Sequence, residues 1–419
     1  MAPHSRPRRL ATAALTAVLA VFVAACAQDH PNTIFHSHTD FNRDVGFLFD
    51  LLIWLGTVVF VFVEGILIIT LIKFRKREGQ PAPQHVHGNT KLEIAWTTIP
   101  ALILAIIAVP TVRTIFKTEA KASPDALQVQ VIGHQWWWEF RYPQYGITTA
   151  NEVYLPIGRK VNFELHTADV IHSFWIPQLG GKRDLVSNHT NFLWFTPDSV
   201  SDNMFNGFCA EYCGTSHANM RFKAVTVTPQ EFEAWAQHQQ LPAVFNAADT
   251  TRKPAAPAAA ATMAAAPAPA QAAPSTLSFV ELPKDKIGHF AVPETPTPDG
   301  LTFDTTLVGD PARGQDLLTK GTGGCLGCHT IKGNPMMVGQ IGPNLTHVAT
   351  RTTIAGGIYP NDKRHLSLWI KNARLMKPGV LMPTLGLGQF DPIAKMTIQA
   401  GGLTDQQIAD IVAYLQALK

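Results

Sequence analysis

Residues 45–72 read VGFLFDLLIWLGTVVFVFVEGILIITLI, and residues 92–116 read LEIAWTTIPALILAIIAVPTVRTIF. Each run exceeds the roughly 20 apolar residues that a helix needs to cross a bilayer. Residues 73–77, KFRKR, form a basic cluster between the runs, and such clusters stay on the cytoplasmic side of a membrane. Length and basic flank disfavour two buried core helices. The sequence therefore predicts a transmembrane hairpin within residues 40–120, with both outer ends outside the cytoplasm.

The first 27 residues have the pattern of a secretory signal. Three arginines, at positions 6, 8 and 9, precede an alanine-rich apolar stretch at residues 10–25. Val23-Ala24-Ala25-Cys26 resembles a bacterial lipoprotein box, which predicts lipidation of Cys26. Ala25-Cys26-Ala27 also fits an ordinary cleavage site. Either interpretation predicts export, so we expect the bulk of the chain outside the cytoplasm.

Three further segments follow the hairpin. Polar and apolar residues alternate at residues 127–132, 160–165 and 221–227. Such alternation between Pro and Gly turns predicts an all-β domain over residues 125–240. Residues 244–302 contain an Ala/Pro-rich tract and predict an extended linker and connector. Residues 303–419 carry helical patterns and predict a third domain.

Composition excludes several classes of protein. The 419 residues are 46% hydrophobic, 16% charged and carry a net charge of +3. This apolar content excludes a disordered chain, and the charge is too small to indicate nucleic-acid binding. Five cysteines are too few for a disulfide scaffold. Four of them form two close pairs, so their spacing carries the information.

Cys325-Leu326-Gly327-Cys328-His329 is the strongest local motif. The C-x-x-C-H pattern is the attachment sequence of a c-type haem, in which two thiols form thioethers and the histidine binds the iron. A zinc site would need a second ligand pair nearby, and a redox disulfide would need a βαβ context. Neither is present in the sequence. We therefore predict covalent haem at Cys325 and Cys328, with His329 as an axial ligand.

The second axial ligand should be soft and lie downstream of His329. Among the methionines that follow, we select Met382, because Leu381-Met382-Pro383 is a proline-fixed loop ahead of a final helix. As a packing residue this methionine would be unremarkable. Pro343 is a candidate to accept a hydrogen bond from the outer nitrogen of His329.

A second cluster of metal-binding side chains lies in the β domain. Residues 209–220 read CAEYCGTSHANM, and His172 lies upstream in His172-Ser173-Phe174-Trp175. Sulfur and imidazole ligands together favour copper over hard cations. Two cysteines and two histidines would also satisfy zinc, and the cysteines could form a disulfide. The additional methionine and the β context favour copper.

These motifs together closely resemble subunit II of haem–copper cytochrome c oxidases. The resemblance rests on residues 209–220, on HSFW at residues 172–175 and on GHQWWW at residues 133–138. A cytochrome at the C-terminus resembles the caa-type branch of that family. The resemblance implies a multi-domain membrane protein with a transmembrane α-helical hairpin, an all-β cupredoxin-like sandwich and an all-α class I cytochrome c domain.

The resemblance also implies site residues. Cys209 and Cys213 would bridge the two ions of a binuclear copper A centre, and His172 and His217 would each bind one ion. Met220 and the Glu211 carbonyl would complete the site, while the Glu211 carboxylate would bind a magnesium ion shared with the catalytic subunit.

Two more residues acquire roles from the same resemblance. Trp136 would be the electron-input tryptophan, and Glu93 the acidic residue at the mouth of a proton channel. On the residues alone, Trp136 could be a packing aromatic of the β domain, and Glu93 a plain membrane-interface residue.

We therefore predict an electron-transfer subunit of a respiratory terminal oxidase in the bacterial inner membrane, with its metal domains on the periplasmic side. Its partners would be subunits I and III, membrane lipid, and an external cytochrome c or an upstream respiratory complex as donor. Oxygen reduction, with proton translocation, would occur on another chain. A nitric oxide reductase subunit is the alternative. A copper chaperone is a third, which the haem motif disfavours because a chaperone has no need of haem.

Overall fold

A computed structural model describes residues 16–17, 20–21, 32–75, 78–79, 88–200, 204–243, 278–282, 295–321 and 324–419. Cys26, most of the predicted signal peptide and most of the predicted linker lie outside the described residues.

Two long helices form the hairpin. Helix α1 spans Asp40–Lys73 and helix α2 spans Thr90–Glu119. The side chains of Thr39 and Asn89 accept backbone hydrogen bonds at the helix starts, which satisfies donors that have no partner within the helix. Both helices are long and apolar enough to cross a membrane, and their most apolar stretches are not buried by the rest of the protein. The prediction of two apolar helices is confirmed, each a few residues longer at both ends.

Ten strands form two five-stranded sheets, in the orders β3-β2-β1-β5-β8 and β4-β10-β9-β6-β7. The strands of the first sheet are β1 (Leu127–His134), β2 (Trp137–Tyr142), β3 (Ile147–Ala150), β5 (Val161–Thr167) and β8 (Asn191–Phe195). Those of the second are β4 (Glu152–Pro156), β6 (His172–Trp175), β7 (Arg183–Leu185), β9 (Phe205–Cys209) and β10 (Arg221–Val227). Fully buried aromatic side chains such as Trp138, Phe174 and Phe222 pack between the sheets. The sandwich ends in helix α3, Pro229–Gln240, which a capping box at Thr228 begins.

The C-terminal unit is mainly helical. It contains α4 (Pro311–Thr319), α5 (Lys363–Met376) and α6 (Asp405–Ala417), with two short ladders that pair β11 (Thr353–Ile354) with β12 (Tyr359–Pro360) and β13 (Phe390–Asp391) with β14 (Met396–Thr397). Helix α6 begins with a capping box, in which the Thr404 side chain accepts from the Gln407 N–H and the Gln407 side chain accepts from the Thr404 N–H. The predicted fold class is thereby confirmed.

The outer ends of both long helices contact the sandwich. Asp40 in the first turn of α1 accepts hydrogen bonds from the backbone N–H and the hydroxyl of Thr196, at 2.7 and 3.0 Å. Thr39 donates to the Leu179 carbonyl at 2.5 Å. At the end of α2, Glu119 pairs with Arg183 through two hydrogen bonds. The two helix ends therefore lie on the same side as the sandwich.

Candidate metal centre

Three metal-binding side chains converge at one end of the second sheet. His172 is the first residue of β6 and Cys209 the last of β9, and these antiparallel neighbours bring them together. Cys213 follows in the next loop, and the ligand atoms of the three residues lie within 4.8 Å of one another. All three are buried, with His172 fully so. The second sheet thus brings together His172 and Cys209, which are 37 positions apart in sequence.

The two thiols and the two imidazoles form matched pairs. The Sγ atoms of Cys209 and Cys213 are 3.7 Å apart, far beyond the length of a disulfide bond. His172 Nδ1 lies 3.8 Å from the Cys209 sulfur, and His217 Nδ1 lies 3.6 Å from the Cys213 sulfur. Each thiol therefore has its own imidazole, and both imidazoles use the same ring nitrogen.

The loop supplies two further donors to this centre. The Met220 sulfur lies 3.8 Å from the Cys213 sulfur, and the Glu211 carbonyl oxygen lies 3.2 Å from the Cys209 sulfur. The Glu211 side chain is exposed, and its carboxylate accepts a hydrogen bond from the Tyr212 N–H. The six predicted copper-site residues thus meet at one place, and the Glu211 carboxylate remains on the surface.

The two thiols differ in their electrostatics. Hydrogen bonding with Cys213 holds the pKa of Cys209 at about 4, and the same contact raises the pKa of Cys213. Burial lowers the pKa of His172, but its hydrogen bonds with Asp169 and Cys209 outweigh burial and raise it. Because the thiolate is the metal-binding form, Cys209 is prepared to bind a metal cation.

Asp169 orients the first imidazole. Its Oδ1 lies 2.8 Å from His172 Nε2, the ring nitrogen that faces away from the thiols. The same oxygen accepts from the Val170 N–H, and Oδ2 accepts from the Gln135 N–H, both at 2.7 Å. Asp169 was not among the residues predicted from the sequence, although a carboxylate three positions before a candidate histidine ligand was a usable signal.

The haem motif lines a cavity in the C-terminal unit. Cys325 begins a single-turn 3-10 helix, and the His329 N–H closes the turn by donating to the Cys325 carbonyl at 3.0 Å. Cys325, Cys328, His329 and Met382 all line the same cavity of about 1260 Å³, which includes its open mouth. The predicted covalent and axial residues are therefore brought together.

The outer nitrogen of His329 is fixed by a backbone carbonyl. His329 Nδ1 lies 2.8 Å from the oxygen of Pro343, the candidate acceptor. This contact turns Nε2 away from Pro343, and burial lowers the pKa of the imidazole. A neutral imidazole with one nitrogen anchored is the form that binds iron.

Trp136 connects the two sites. It lies in the turn between β1 and β2, and its indole Nε1–H donates to the carbonyl of Cys213 at 2.9 Å. The neighbouring Gln135 side chain donates to the same carbonyl at 2.8 Å. Trp136 also lines the cavity that contains the haem motif. Trp138, in contrast, is a fully buried core residue.

Glu93 lies in the first turn of α2, where its carboxylate accepts a hydrogen bond from the Asn89 N–H at 3.2 Å. This contact gives Glu93 a local role at the start of α2. The sandwich contacts the opposite end of this helix, at Glu119.

Comparisons with known proteins agree with this arrangement. Three family descriptions match in order: "Cytochrome C oxidase subunit II, transmembrane domain" over residues 33–114, "Cytochrome C oxidase subunit II, periplasmic domain" over residues 146–227, and "Cytochrome c" over residues 311–419. Cytochrome c oxidase subunit 2 of Alkalihalophilus pseudofirmus is 31% identical, over 86% of this chain and 83% of that protein. The chain belongs to the cytochrome c oxidase subunit 2 family.

Two other known proteins are similar to this chain. Cytochrome c oxidase subunit 2 of Bacillus sp. (strain PS3) is 31% identical, over 83% of this chain and 80% of that protein. The crystal structure of the periplasmic domain of subunit II of cytochrome oxidase from Bradyrhizobium japonicum is 28% identical, over 28% of this chain and 96% of that chain, with a TM-score of 0.27.

Membership of the family confirms the main functional prediction. The chain is a membrane-anchored electron-transfer subunit of a haem–copper terminal oxidase, an oxidoreductase complex with a cytochrome c donor. Its domains imply copper A in the sandwich and haem in the C-terminal unit. Nothing in these matches favours the nitric oxide reductase alternative.

Proposed function

We propose that this subunit moves electrons from a covalent haem c in residues 303–419 to a binuclear copper A centre in residues 125–240, and onward to the catalytic subunit that reduces oxygen to water with proton translocation. The convergence of two thiols, each with its own imidazole, is the observation that carries the proposal. When bound, both groups supply reversible one-electron oxidation and reduction.

The donor set in the sandwich fits copper. Cys209 and Cys213 would bridge two copper ions, His172 and His217 would each bind one, and Met220 with the Glu211 carbonyl would complete the set. Soft thiolates and a thioether favour copper, and neighbouring thiols 3.7 Å apart can share two ions. Four of the six residues are buried, which limits the access of water and holds their side chains in one geometry: His172, Cys209, Cys213 and Met220.

The cavity in the C-terminal unit fits a haem. Cys325 and Cys328 would form the thioethers, and His329 and Met382 would be the axial ligands. Pro343 keeps His329 in one ring orientation, which also increases its basicity as a ligand. The predominantly apolar walls of this cavity would suit the apolar faces of a haem.

Further assignments follow from the family. Trp136 would be the electron-input residue, Glu93 would lie at the mouth of a proton channel, and the exposed Glu211 carboxylate would bind magnesium at the interface with subunit I. Subunit III, membrane lipid and an external cytochrome c or an upstream respiratory complex would be the other partners. The basic loop would face the cytoplasm, and the sandwich and haem domain the periplasm. The domain bounds 1–27, 40–120 and 244–302, and lipidation of Cys26, are proposed from the sequence.

Spectroscopy and metal analysis of the purified oxidase test the proposal. We expect two copper ions and one haem iron in this subunit, a low-spin haem c spectrum and a near-infrared copper A band. Cys213→Ser should abolish the copper band and keep the haem spectrum, and Cys328→Ala should prevent attachment through the second thioether. A copper band that survives Cys213→Ser would contradict the binuclear assignment. Nitric oxide reduction without oxygen reduction by the intact complex would favour the alternative function.

A further inference from the structure

The C-terminal unit, residues 303–419, is called the haem unit below. It covers the face of the sandwich on which Trp136 lies. Trp136 is only 8% exposed, and the backbone at Gly379 lies so close to the indole that a Cβ there would stand 2.7 Å from two ring carbons. Val380 of the haem unit belongs to the same buried apolar cluster as the core of the sandwich. A separate donor protein therefore has no access to the Trp136 ring in this arrangement.

Glu152 of the sandwich is buried against the haem unit. It is 3% exposed, and its Oε1 accepts from the Thr352 N–H at 2.7 Å, the Thr352 hydroxyl at 2.6 Å and the Thr353 N–H at 3.2 Å. Burial raises its pKa despite these hydrogen bonds. All three donors belong to the haem unit. The hydrogen bonds of this carboxylate oxygen therefore depend on the contact between the haem unit and the sandwich.

Lys377 makes the reciprocal contact from the haem unit. It is 1% exposed and donates to the Trp136 carbonyl at 2.7 Å and to the Ala355 carbonyl at 2.8 Å. Ala355 and Trp136 both line the cavity of the haem motif. A single side chain therefore joins the backbone of the electron-input residue to a wall of the haem cavity.

Buried ionisable groups tolerate few arrangements. Turning or sliding the haem unit on the sandwich would break the hydrogen bonds that Glu152 accepts and the bond from Lys377 to the Trp136 carbonyl. Of these contacts only the bond from Lys377 to Ala355 would remain, and losing the others is strongly unfavourable while the two groups stay buried. Two further contacts lie on the same face, from the Ser216 hydroxyl to the Pro378 carbonyl at 2.5 Å and from the Arg221 N–H to the Gly356 carbonyl at 2.9 Å. The face thus specifies one orientation, whereas a purely apolar contact would allow several.

We propose that Glu152 and Lys377 are positioning residues that hold this chain's own haem domain in one orientation over Trp136, so that the copper centre accepts electrons only through this haem. The inference rests on the proposed function, because it needs haem and copper at the assigned residues. In each transfer the ferrous haem loses one electron and the oxidised copper centre gains it, with no bond formed or broken. The external electron donor must therefore bind elsewhere on the haem domain.

The test compares variants of the full-length subunit in the intact oxidase. Glu152→Ala and Lys377→Met remove the interdomain hydrogen bonds, whereas Glu152→Gln keeps an acceptor oxygen in a side chain of the same shape. Glu231→Ala is the control for Glu152, because it removes hydrogen bonds that Glu231 accepts from Thr228 inside the sandwich. Lys363→Met is the control for Lys377, because it removes two carbonyl contacts inside the haem unit.

Two measurements are made on each variant. After photoinjection of one electron into the haem, the rate of transfer to copper should fall roughly tenfold or more in Glu152→Ala and Lys377→Met. Glu152→Gln and both controls should stay within about twofold of the parent. Hydrogen exchange at the Thr352 and Thr353 amides should accelerate in Glu152→Ala and not in the controls.

The outcomes separate the inference from the function on which it rests. Slower transfer with unchanged haem and copper spectra supports positioning. Transfer at the parental rate in both Glu152→Ala and Lys377→Met overturns it. If Glu152→Ala does not fold, Thr352→Val is used instead, because it removes the hydroxyl hydrogen bond and leaves the Glu152 carboxylate in place. An unchanged hydrogen-exchange rate at the Thr353 amide in that variant also overturns the inference. Loss of either spectrum in the parent would instead refute the proposed function.

Discussion

Asp169 offers the sharpest test of how the copper site is built. Its two oxygens accept three N–H hydrogen bonds. Oδ1 accepts from His172 Nε2 and from the Val170 N–H, and Oδ2 accepts from the Gln135 N–H. Asparagine has one acceptor oxygen, so Asp169→Asn must leave at least one donor facing an amide NH₂ group. The less costly rotamer keeps the oxygen at Oδ1 and sacrifices the contact with Gln135.

The size of the effect follows from exposure and charge. Removing a partner from a buried donor costs about 1–3 kcal/mol, but the Asp169 side chain is 32% exposed, so water can replace part of the lost bond. The bond to His172 also changes from a charged to a neutral acceptor, which weakens it. Outer partners of metal-binding histidines typically contribute 10–100-fold to metal affinity, and partial exposure places Asp169→Asn at the low end, about tenfold or 1.4 kcal/mol.

Competition with a copper chelator, followed by the near-infrared band, measures this affinity. Asp169→Ala should lose more than Asp169→Asn, because it removes all three acceptor contacts. Asp125→Asn is the control, since Asp125 is exposed ahead of β1 and away from the site. Copper affinity in both Asp169 variants equal to that of Asp125→Asn would refute the assignment of Asp169 as the residue that orients His172.

Three other changes test the remaining parts of the structure. In Gly314→Ala the new Cβ would stand 2.0 Å from the Asp410 carbonyl oxygen on α6, so helices α4 and α6 must separate; we expect a loss of about 1–3 kcal/mol or more in the free energy of unfolding, measured by thermal denaturation at the haem band. An unchanged melting temperature would contradict this close approach. Met382→Leu preserves volume but removes the thioether, so the ferric haem should lose its methionine charge-transfer band, and a persisting band would assign the ligand elsewhere. Trp136→Phe keeps an aromatic ring but removes the hydrogen bond to the Cys213 carbonyl, worth about 0.5–1.5 kcal/mol, and should slow transfer from haem to copper while both spectra stay intact. A parental transfer rate in that variant would exclude this hydrogen bond from the electron path.

Local chemistry made most of the site predictable from sequence. The C-x-x-C-H pattern, the cysteine pair 209/213 and the apolar runs each carry their meaning within a few residues, so periodicity and spacing were sufficient to find them. The outer partner of His329 was also within reach, because a Gly-Pro segment lies only 14 residues downstream.

Contacts between units could not be predicted in the same way. Glu152 reaches donors 200 and 201 residues away, and Lys377 reaches a carbonyl 241 residues away. In a sequence, a lone glutamate or lysine indicates a solvated surface, because such side chains are rarely buried without partners. Only the juxtaposition of the two folded units shows that these two residues are buried.

The hydrogen bonds between the two long helices and the sandwich determine how the sandwich is attached. Asp40 bonds to Thr196, directly after β8, and Thr39 bonds to Leu179, between β6 and β7. Glu119 bonds to Arg183 of β7. Because β1 begins at Leu127, only a short segment joins α2 to the sandwich, and the contacts with α1 supply a second attachment. With both helix ends attached, the sandwich cannot swing freely about that short segment. These few polar contacts therefore set the distance between the candidate metal centre and the two apolar helices.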